Sequence, residues 1–278
     1  MLNFTPDDTR ISDRPFTITL NGGADAEAAF APEPFDSEVL GLRIGRIISL
    51  TAPSTTQYEG VLKQVASRAR RAGYDQILRR TLAQNLSEIW ALERAGFELM
   101  DVGVTFARAL RGALDAPSYD DLQVRQATDD DIREIACDMA REPWGSRYEA
   151  DPAYGPAEIS DLRTRWLWNS HRGRADAVLV GVLDGRPAGY VTCRVDRQSG
   201  RGEIELVGTL PGFRGRNVAS RVLTHAVAWF STRTPLVTVR TQATNTAAAS
   251  LYERGNFTLH SSDVTFRLAV GPSARDKA

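Results

Sequence analysis

The segment Glu203–Ser220 contains residues whose types and order suit the binding of a phosphate group. A strand-like run leads into a loop with Gly215 and the arginines Arg214 and Arg216, and a helical pattern starts at Ala219. The first turn of a helix offers unpaired backbone N–H groups and the positive end of the helix dipole to an anion. Arginine adds bidentate hydrogen bonds to phosphate. The segment therefore predicts a pyrophosphate site, with an ordinary strand, loop and helix bearing surface arginines as the alternative.

A phenol follows in the segment Asn245–Phe257, where the pattern predicts a helix over Thr246–Arg254. Tyr252 lies in the last turn of that helix, and a positioned tyrosine can act as a general acid toward a leaving group. Asn245 lies two turns before Tyr252, so the two residues fall close to the same side of the helix. A core tyrosine with a satisfied hydroxyl is the alternative interpretation.

Alternating strands and helices must position these residues. In the first half, apolar periodicity predicts strand, helix, strand, helix and strand at residues 42–50, 58–71, 74–79, 87–94 and 97–110. The second half starts at Leu122, with helices at 132–141 and 157–170 and a hairpin over 177–195. It ends with the same order as the first half, at 203–209, 219–230, 236–241, 246–254 and 264–270. Such alternation is typical of the α/β class.

The two halves share a repeated segment. Thr81–Asn85 and Thr241–Asn245 have similar sequences, and a phenylalanine, Phe97 or Phe257, follows twelve residues after each asparagine. Chance can produce one such match. Because the flanking order of strand, helix and strand repeats as well, a duplicated α/β unit is the better explanation.

The first copy lacks the groups that carry chemistry in the second. Leu92 occupies the position of Tyr252, so no phenol is available there. The stretch between Leu50 and Tyr58 contains no glycine or arginine that could hold a pyrophosphate. We therefore expect the first copy to keep the fold and the second to keep the activity.

Composition narrows the function classes. The chain has 278 residues, of which 42% are hydrophobic and 25% charged, and its net charge is -1. These values are typical of a globular protein and give no basic field for nucleic acid or an anionic membrane. Only Lys63 and Lys277 of the 34 basic residues are lysines. We interpret this excess of arginine as a bias in genome composition, and the alternative is that some of the arginines bind phosphate groups.

The cellular compartment and the presence of a metal can be predicted from sequence patterns and from the positions of cysteine and histidine. The chain shows no signal-peptide pattern and no apolar run long enough to span a membrane, so we expect a soluble cytoplasmic protein. Cys137 and Cys193 lie in apolar runs and are expected to be reduced core residues, although a disulfide stays open. The histidines are scattered without metal-ligand spacing, so no metal is expected.

The two motifs resemble those of a known family. Arg214–Ala219 resembles the acyl-CoA loop, Arg/Gln-x-x-Gly-x-Gly/Ala, of the GNAT N-acetyltransferases. Asn245–Phe257 resembles their later signature, Asn-x-x-Ala-x-x-Leu-Tyr-Glu-x-x-Gly-Phe, in the same order and spacing. Two departures occur: Asn217 stands where the family usually has glycine, and Gly255-Asn256 inverts the usual order. Asparagine tolerates left-handed backbone, so we expect phosphate binding to be weakened but kept.

The resemblance implies an acetyl-CoA-dependent N-acetyltransferase, with acetyl-CoA as co-substrate and no metal. Tyr252 is implied as the acid that protonates the CoA sulfur. Glu203 stands where some members keep a general base; a solvated carboxylate and a water chain are the alternatives. The residues implied to bind acetyl-CoA are Val207, Thr209, Arg214, Gly215, Arg216, Asn217, Val218, Ala219, Ser220 and Asn245.

A narrower resemblance covers most of the chain from Phe35. The segments 35–41, 85–97, 146–152 and 168–176 resemble the TDP-fucosamine (dTDP-4-amino-4,6-dideoxygalactose) acetyltransferase branch of this family. In that branch a degenerate GNAT-like half precedes the working half, and the acceptor is the amine of a nucleotide-linked amino sugar. Arg147, Tyr148 and Trp168 are expected to contact the acceptor, with Arg147 on a sugar-nucleotide phosphate.

These observations predict an α/β protein with two GNAT-like mixed-sheet units in tandem. The expected parts are a weakly structured leader over 1–34 with one short strand at 16–20, a degenerate N-terminal domain over 35–116, a catalytic domain over 122–270 and a flexible tail over 271–278. The acceptor is a small-molecule amine, and a homodimer stays possible. Alternatives are an aminoglycoside-like antibiotic, a polyamine or a protein N-terminus as acceptor, or a CoA-binding module without turnover.

Overall fold

A computed structural model describes residues 15–20, 26–141 and 146–271. The expected flexible tail, apart from Gly271, and parts of the expected leader lie outside the described residues. The strands are β1 (Phe16–Leu20), β2 (Ala26–Pro32), β3 (Ile44–Thr51), β4 (Gln76–Leu82), β5 (Glu98–Ala109), β6 (Leu122–Gln126), β7 (Ala177–Leu183), β8 (Arg186–Asp196), β9 (Arg201–Thr209), β10 (Leu236–Gln242) and β11 (Thr258–Ala269).

Helices connect most of these strands. They are α1 (Pro34–Leu40), α2 (Thr55–Arg71), α3 (Leu86–Arg94), α4 (Asp129–Arg141), α5 (Arg147–Ala150), α6 (Pro156–Asn169), α7 (Val218–Ser231) and α8 (Thr246–Arg254). A turn over Ser170–Arg174, with Gly173 at φ 113°, follows α6, and a short 3-10 turn over Pro211–Phe213 precedes α7.

The leader is more ordered than its sequence suggests. The expected strand at Phe16–Leu20 is present as β1, but residues 26–32 form a second strand, β2, which corrects the expectation of weak structure there. Ala26, Ala28 and Phe30 alternate as buried residues along β2. Alanine is only weakly apolar and has low strand propensity, so the sequence pattern did not predict this strand.

The chain divides into two compact units. Unit 1 comprises the described residues of 1–102, 150–154 and 263–278, and unit 2 comprises those of 103–149 and 155–262. The expected boundaries at residues 116 and 122 therefore need a correction, because residues 103–109 belong to unit 2 and residues 263–270 to unit 1. Each unit takes the last part of its sheet from a strand that is remote in sequence.

Both sheets are mixed. In unit 1 the strand order is β1, β2, β3, β4 and the second half of β11, where Asp263–Ala269 pairs antiparallel with Leu82–Gln76. In unit 2 the order is the second half of β5, then β10, β9, β8, β7 and β6, and Gly103–Ala109 pairs antiparallel with Gln242–Leu236. Each unit contains a parallel pair with antiparallel neighbours, β3 with β4 in unit 1 and β9 with β10 in unit 2.

The predicted duplication is confirmed by element lengths. The strands β4 and β10 have 7 residues each, the helices α3 and α8 have 9, and the strands β5 and β11 have 12. The marker residues of the repeat are equivalent as well: Phe97 and Phe257 are buried after the helix, and Leu92 is buried where unit 2 has Tyr252.

In unit 1 a buried ion pair lies where the strands β3 and β4 begin to separate. Pairing between β3 and β4 ends at Ile47 and Arg79, although both strands continue. The Arg79 guanidinium donates to the Ile47 carbonyl at 3.2 Å and lies 2.6 Å from the Glu88 carboxylate of α3. Their side chains are only 10% and 2% exposed. Unit 2 has the apolar residues Val239 and Ala248 at the equivalent positions.

Two apolar cores cover the faces of the unit 2 sheet. One core lies under α7 and α8 and contains Val222, Phe230 and Val239. The other lies under α4 and α6 and contains Ile135 and Leu167. The two cores hold the centre of the sheet rigidly, which is what a precise binding site at its strand ends needs.

Candidate active site

A cleft opens where β9 and β10 separate. The parallel pairs run from Gly202–Val237 to Ile204–Val239. Beyond that point β9 continues to Thr209 and β10 to Gln242. The backbone edge of β9 over its last five residues therefore faces a cleft.

A β-bulge shapes the same stretch of β9. Val191 pairs with Val207 but Cys193 pairs with Ile204, so β9 has one extra residue opposite Thr192. The buried Thr192 hydroxyl accepts a hydrogen bond from the Leu206 N–H at 2.9 Å and so satisfies the bulged backbone. A bulge bends the strand and changes which face the following side chains occupy. Ile204 accordingly packs in the core under α7, and Leu206 packs in the core under α4 and α6.

The backbone direction after the bulge places two N–H groups on the cleft side. Leu206 N–H bonds to the Thr192 hydroxyl, and Leu210 N–H donates to a carbonyl of β8 at 2.9 Å. Successive N–H groups of a strand point to opposite edges. The N–H groups of Val207 and Thr209, which alternate with those two, therefore point away from β8 and into the cleft.

The loop after β9 ends in the helix start that the sequence predicted. Gly215 has φ 80°, and Asn217 has φ 57°, so Asn217 adopts the left-handed backbone expected for its position. Its side chain makes no capping hydrogen bond to α7, which begins at Val218. The amide groups of the first turn are thus left for an anion. Arg216 reaches Asp184 at 3.2 Å and keeps a charged group beside this turn.

A cavity of about 330 Å³ adjoins the cleft on the side of α4 and α6. Its wall includes the end of β9, the loop that follows, one residue of β8 and the start of α8. The lining residues are Ile135, Asp138, Met139, Arg163, Tyr190, Gly208, Thr209, Leu210, Pro211, Arg214 and Asn245. The cavity combines apolar walls with a few polar and charged groups, which is typical of a small-molecule site.

Tyr190 forms one wall of this cavity. Its hydroxyl donates to the Met139 sulfur at 3.3 Å. Burial raises the pKa of the Tyr190 hydroxyl, and the positive charge of Arg163 acts in the opposite direction. A Cβ atom on Gly208 would lie 2.7 Å from the Tyr190 ring, so the ring reaches its place because residue 208 is glycine.

Arg163 is a buried cation that the sequence analysis missed. Its guanidinium lies 3.4 Å from the Glu149 carboxylate and also hydrogen-bonds the Met139 carbonyl. In the sequence, Ile159, Arg163 and Leu167 recur every four residues, which puts an arginine on the apolar stripe of α6. That conflict between residue type and position was the available signal.

The part of the chain that the structure describes was compared with the features needed for a metal site and for a membrane-spanning helix. No group of three or more histidine, cysteine, aspartate or glutamate residues is placed to hold a metal ion there. None of the described helices combines the length and apolar character needed to cross a bilayer. Both cysteines are free: Cys193 is buried as expected, whereas Cys137 is exposed, contrary to the expectation of a core residue.

Residues 130–257 match the sequence model of the acetyltransferase (GNAT) family. This segment is a GNAT acetyltransferase domain. The spore coat polysaccharide biosynthesis protein SpsD of Bacillus subtilis (strain 168) is 30% identical over 146 residues, which are 51% of this chain and 49% of SpsD. The chain thus spans about half the length of that curated relative.

Solved structures share the fold of this chain. A GCN5-related N-acetyltransferase from Sphaerobacter thermophilus matches with a TM-score of 0.62 at 17% identity, covering 91% of this chain and 83% of that one. A tandem GNAT protein from the clavulanic acid biosynthesis pathway matches with a TM-score of 0.59 at 12% identity, covering 96% and 87%. The predicted class, α/β with two GNAT-like units, is confirmed.

The tyrosine of the GNAT signature lies in the core under α7 and α8. Tyr252 is 2% exposed, its ring centroid is 5.7 Å from that of Phe106, and Val207 packs against the same cluster. Burial raises the pKa of the Tyr252 hydroxyl. Asn245, at the start of the same helix, accepts a hydrogen bond from the Ala248 N–H at 3.0 Å and also lines the cavity.

The structure does not bring Glu203 to the cavity. Glu203 and Glu205 share a face, as predicted, since Arg194 contacts both carboxylates. Arg174 also pairs with Glu205 at 3.1 Å. Glu203 precedes Thr209 by six residues on an extended strand, a separation of about 20 Å. The sequence placed the general base here because it gives the face of a residue but not its distance from a site.

The three expected acceptor residues lie around α5 and α6 and are absent from the described lining of the cavity. Arg147 donates to the Tyr148 hydroxyl at 2.6 Å and stacks over its ring. Tyr148 is buried against Trp166, and Trp168 lies under the Arg172 guanidinium, 5.0 Å from its ring centroid. Their link to the cavity is indirect, through the neighbouring carboxylate of α5 that pairs with a cavity arginine.

Proposed function

We propose that this GNAT protein transfers an acetyl group from acetyl-CoA to a primary amine, and that the amine belongs to a nucleotide-linked amino sugar. The observation that carries the proposal is the cleft between β9 and β10, with the N–H groups of Val207 and Thr209 directed into it. The pantetheine arm of CoA is an extended chain with amide groups, so it can pair with such a strand edge. The reaction is expected in the cytoplasm, where acetyl-CoA and nucleotide sugars are available.

The loop after β9 supplies the proposed pyrophosphate site. Arg214 and Arg216 provide charge, Gly215 lets the backbone approach, and Asn217 provides the left-handed turn. The amides of residues 218–220, in the first turn of α7, complete the anion site. The cavity beyond Thr209 then receives the acetyl group and the acceptor.

The chemistry follows from the groups around the cleft. Acetyl-CoA supplies an acetyl group already activated as a thioester. A strand N–H of Val207 or Thr209 stabilises the oxyanion that forms when an amine attacks the thioester carbon. Tyr252 gives its proton to the departing sulfur, and its raised pKa keeps it protonated until that step.

A sugar acceptor is supported by the relative SpsD, a spore coat polysaccharide biosynthesis protein. We propose that Arg147, Tyr148 and Trp168 form the outer part of the acceptor site. The proposal is supported by the position of Arg147, which is half-buried on α5 two residues before the carboxylate that pairs with Arg163.

Thiol release from acetyl-CoA by the full chain tests the proposal. The acceptors are dTDP-4-amino-4,6-dideoxygalactose, its hydroxyl counterpart dTDP-6-deoxygalactose, kanamycin, spermidine and a peptide with a free N-terminus. We expect turnover of the amino sugar nucleotide with kcat/KM about tenfold or more above the other amines, and a product that gains one acetyl group by mass spectrometry. Faster turnover of another amine contradicts the sugar assignment, and CoA binding without any turnover contradicts the enzyme assignment.

A further inference from the structure

We propose that Asp138 contacts the ammonium group of the acceptor and takes its proton before the amine attacks. The assignment rests on the proposed acetyl transfer. It supplies the base that the sequence analysis placed at Glu203, which lies about 20 Å along β9 from the cavity.

The position of Asp138 is fixed by α4. Ile135, Asp138 and Met139 are spaced by three and four residues, so they form one stripe of that helix, and all three line the cavity. Gly208 and Thr209 line the same cavity at the end of the cleft. The carboxylate therefore shares one cavity with the backbone groups that are proposed to hold the thioester.

Asp138 is the single carboxylate among the described residues that line the cavity. The other charged lining residues, Arg163 and Arg214, are cations. The carboxylates of β9 are engaged elsewhere, Glu203 by Arg194 and Glu205 by arginines on two elements. An amine arrives at neutral pH mostly as an ammonium ion, so it needs one negative group in this cavity to bind and to lose a proton.

The ion pair that Asp138 makes on its own helix is loose. Arg141 is 3.9 Å away on the same helix and is mostly exposed, and such a loose pair contributes little. Arg186 of β8 hydrogen-bonds Glu134 at 2.8 Å, and Arg163 pairs with a carboxylate of α5. An ammonium ion that enters the cavity can therefore replace the contact with Arg141 at small cost.

The proposed step balances as follows. The ammonium ion gives one proton to the Asp138 carboxylate and becomes a neutral amine with a free electron pair. The amine nitrogen bonds to the thioester carbon, and the carbon–sulfur bond then breaks. Tyr252 protonates the sulfur, and the second proton of the nitrogen restores the phenol. Asp138 passes its proton to water when the product leaves.

The test is a cycle of two proteins and two ligands. Calorimetry measures binding of dTDP-4-amino-4,6-dideoxygalactose and of dTDP-6-deoxygalactose to the CoA-saturated full chain, as wild type and as Asp138→Asn. We expect wild type to bind the amine about tenfold or more tightly than the hydroxyl compound, and Asp138→Asn to lose this preference. Asp130→Asn is the matched control, because Asp130 is on the same helix with a side chain 90% exposed and away from the cavity lining.

Turnover gives a second readout. In Asp138→Asn only the neutral amine can react, so kcat/KM for the amino sugar nucleotide should rise tenfold per pH unit below the amine's pKa, and the gap to wild type should narrow. The KM for acetyl-CoA should stay within about threefold. An unchanged amine preference in Asp138→Asn, or no binding of either nucleotide, overturns the assignment. Absence of turnover in wild type with an intact preference contradicts the proposed function but not the ammonium contact.

Discussion

Replacing Glu88 by leucine is expected to destabilise unit 1 by about 3–5 kcal/mol. The change leaves the Arg79 guanidinium in the same buried place, where its remaining described partner is the Ile47 carbonyl at 3.2 Å. A buried charge without its counter-ion costs several kcal/mol, because the interior replaces its lost hydration poorly. Since a domain is stable by about 5–15 kcal/mol in total, this loss is a large fraction.

The complementary change, Arg79→Met, should lower the free energy of unfolding by a similar amount, because it leaves the Glu88 carboxylate buried without its cation. The double variant Arg79→Met/Glu88→Leu is expected to recover most of the loss, since well-packed apolar side chains often replace a buried ion pair at little cost. A coupling energy of about 3 kcal/mol or more between the two sites follows. As a control, Glu59→Ala breaks the pair with Arg94, which is 62% exposed, and should cost less than about 1 kcal/mol.

The assay must report on unit 1 separately, because two units need not unfold together. Hydrogen exchange read on peptides from β4 and α3 measures the opening free energy of this region in each variant. Single variants that lose less than about 1 kcal/mol would behave like a surface pair and refute the reasoning. The reasoning would also be refuted if the double variant lost as much opening free energy as the two single variants added together.

Further expected outcomes concern binding, catalysis and pH. Calorimetry should give one CoA per chain, and two would contradict the degenerate role of unit 1. Tyr252→Phe should lower kcat by about 10- to 1000-fold with CoA affinity changed less than about threefold, measured with chemistry rate-limiting. Gly208→Ala should displace the Tyr190 ring, 2.7 Å from the new Cβ, and raise the acceptor KM more than the acetyl-CoA KM. Burial alone would raise the pKa of Asp131, but hydrogen bonds from Arg125 and the adjoining turn outweigh it and lower that pKa. The ionised Asp131 therefore stabilises the fold above about pH 4. Asp131→Asn should lower the free energy of unfolding, measured by urea melts at pH 7, by about 1–3 kcal/mol. This difference from wild type should disappear as the pH falls below about 4 and the native carboxylate becomes protonated.

Local signals predicted many elements almost to the residue. The helix Thr246–Arg254 and the strand Ala177–Leu183 have the bounds expected from the sequence, because a capping residue and a continuous apolar run act within a few positions. The left-handed Asn217 was also predictable, since the residue type itself favours that conformation.

Features that depend on packing between remote segments were not predictable. The bulge at Leu206 arises from the register of β8 against β9, and one residue of slip moves side chains to the other face. Asp138 and Arg163 meet in one cavity because two helices pack on the same sheet, although 24 residues of sequence, part of them outside the described residues, separate them. The spacing of Glu203 and Glu205 gave their shared face, but strand length decided that neither reaches that cavity.

The assignment of the last strands also bears on how such a gene can evolve. β10, which borders the cleft, takes its antiparallel neighbour from residues 103–109, encoded with the first half, and β4 takes its neighbour from residues 263–269, encoded at the end of the second. A deletion of either half would expose a long strand edge in the half that stays, and such edges invite aggregation. We therefore expect each half to depend on the other for its fold, so that the loss of one copy would disturb the one that stays.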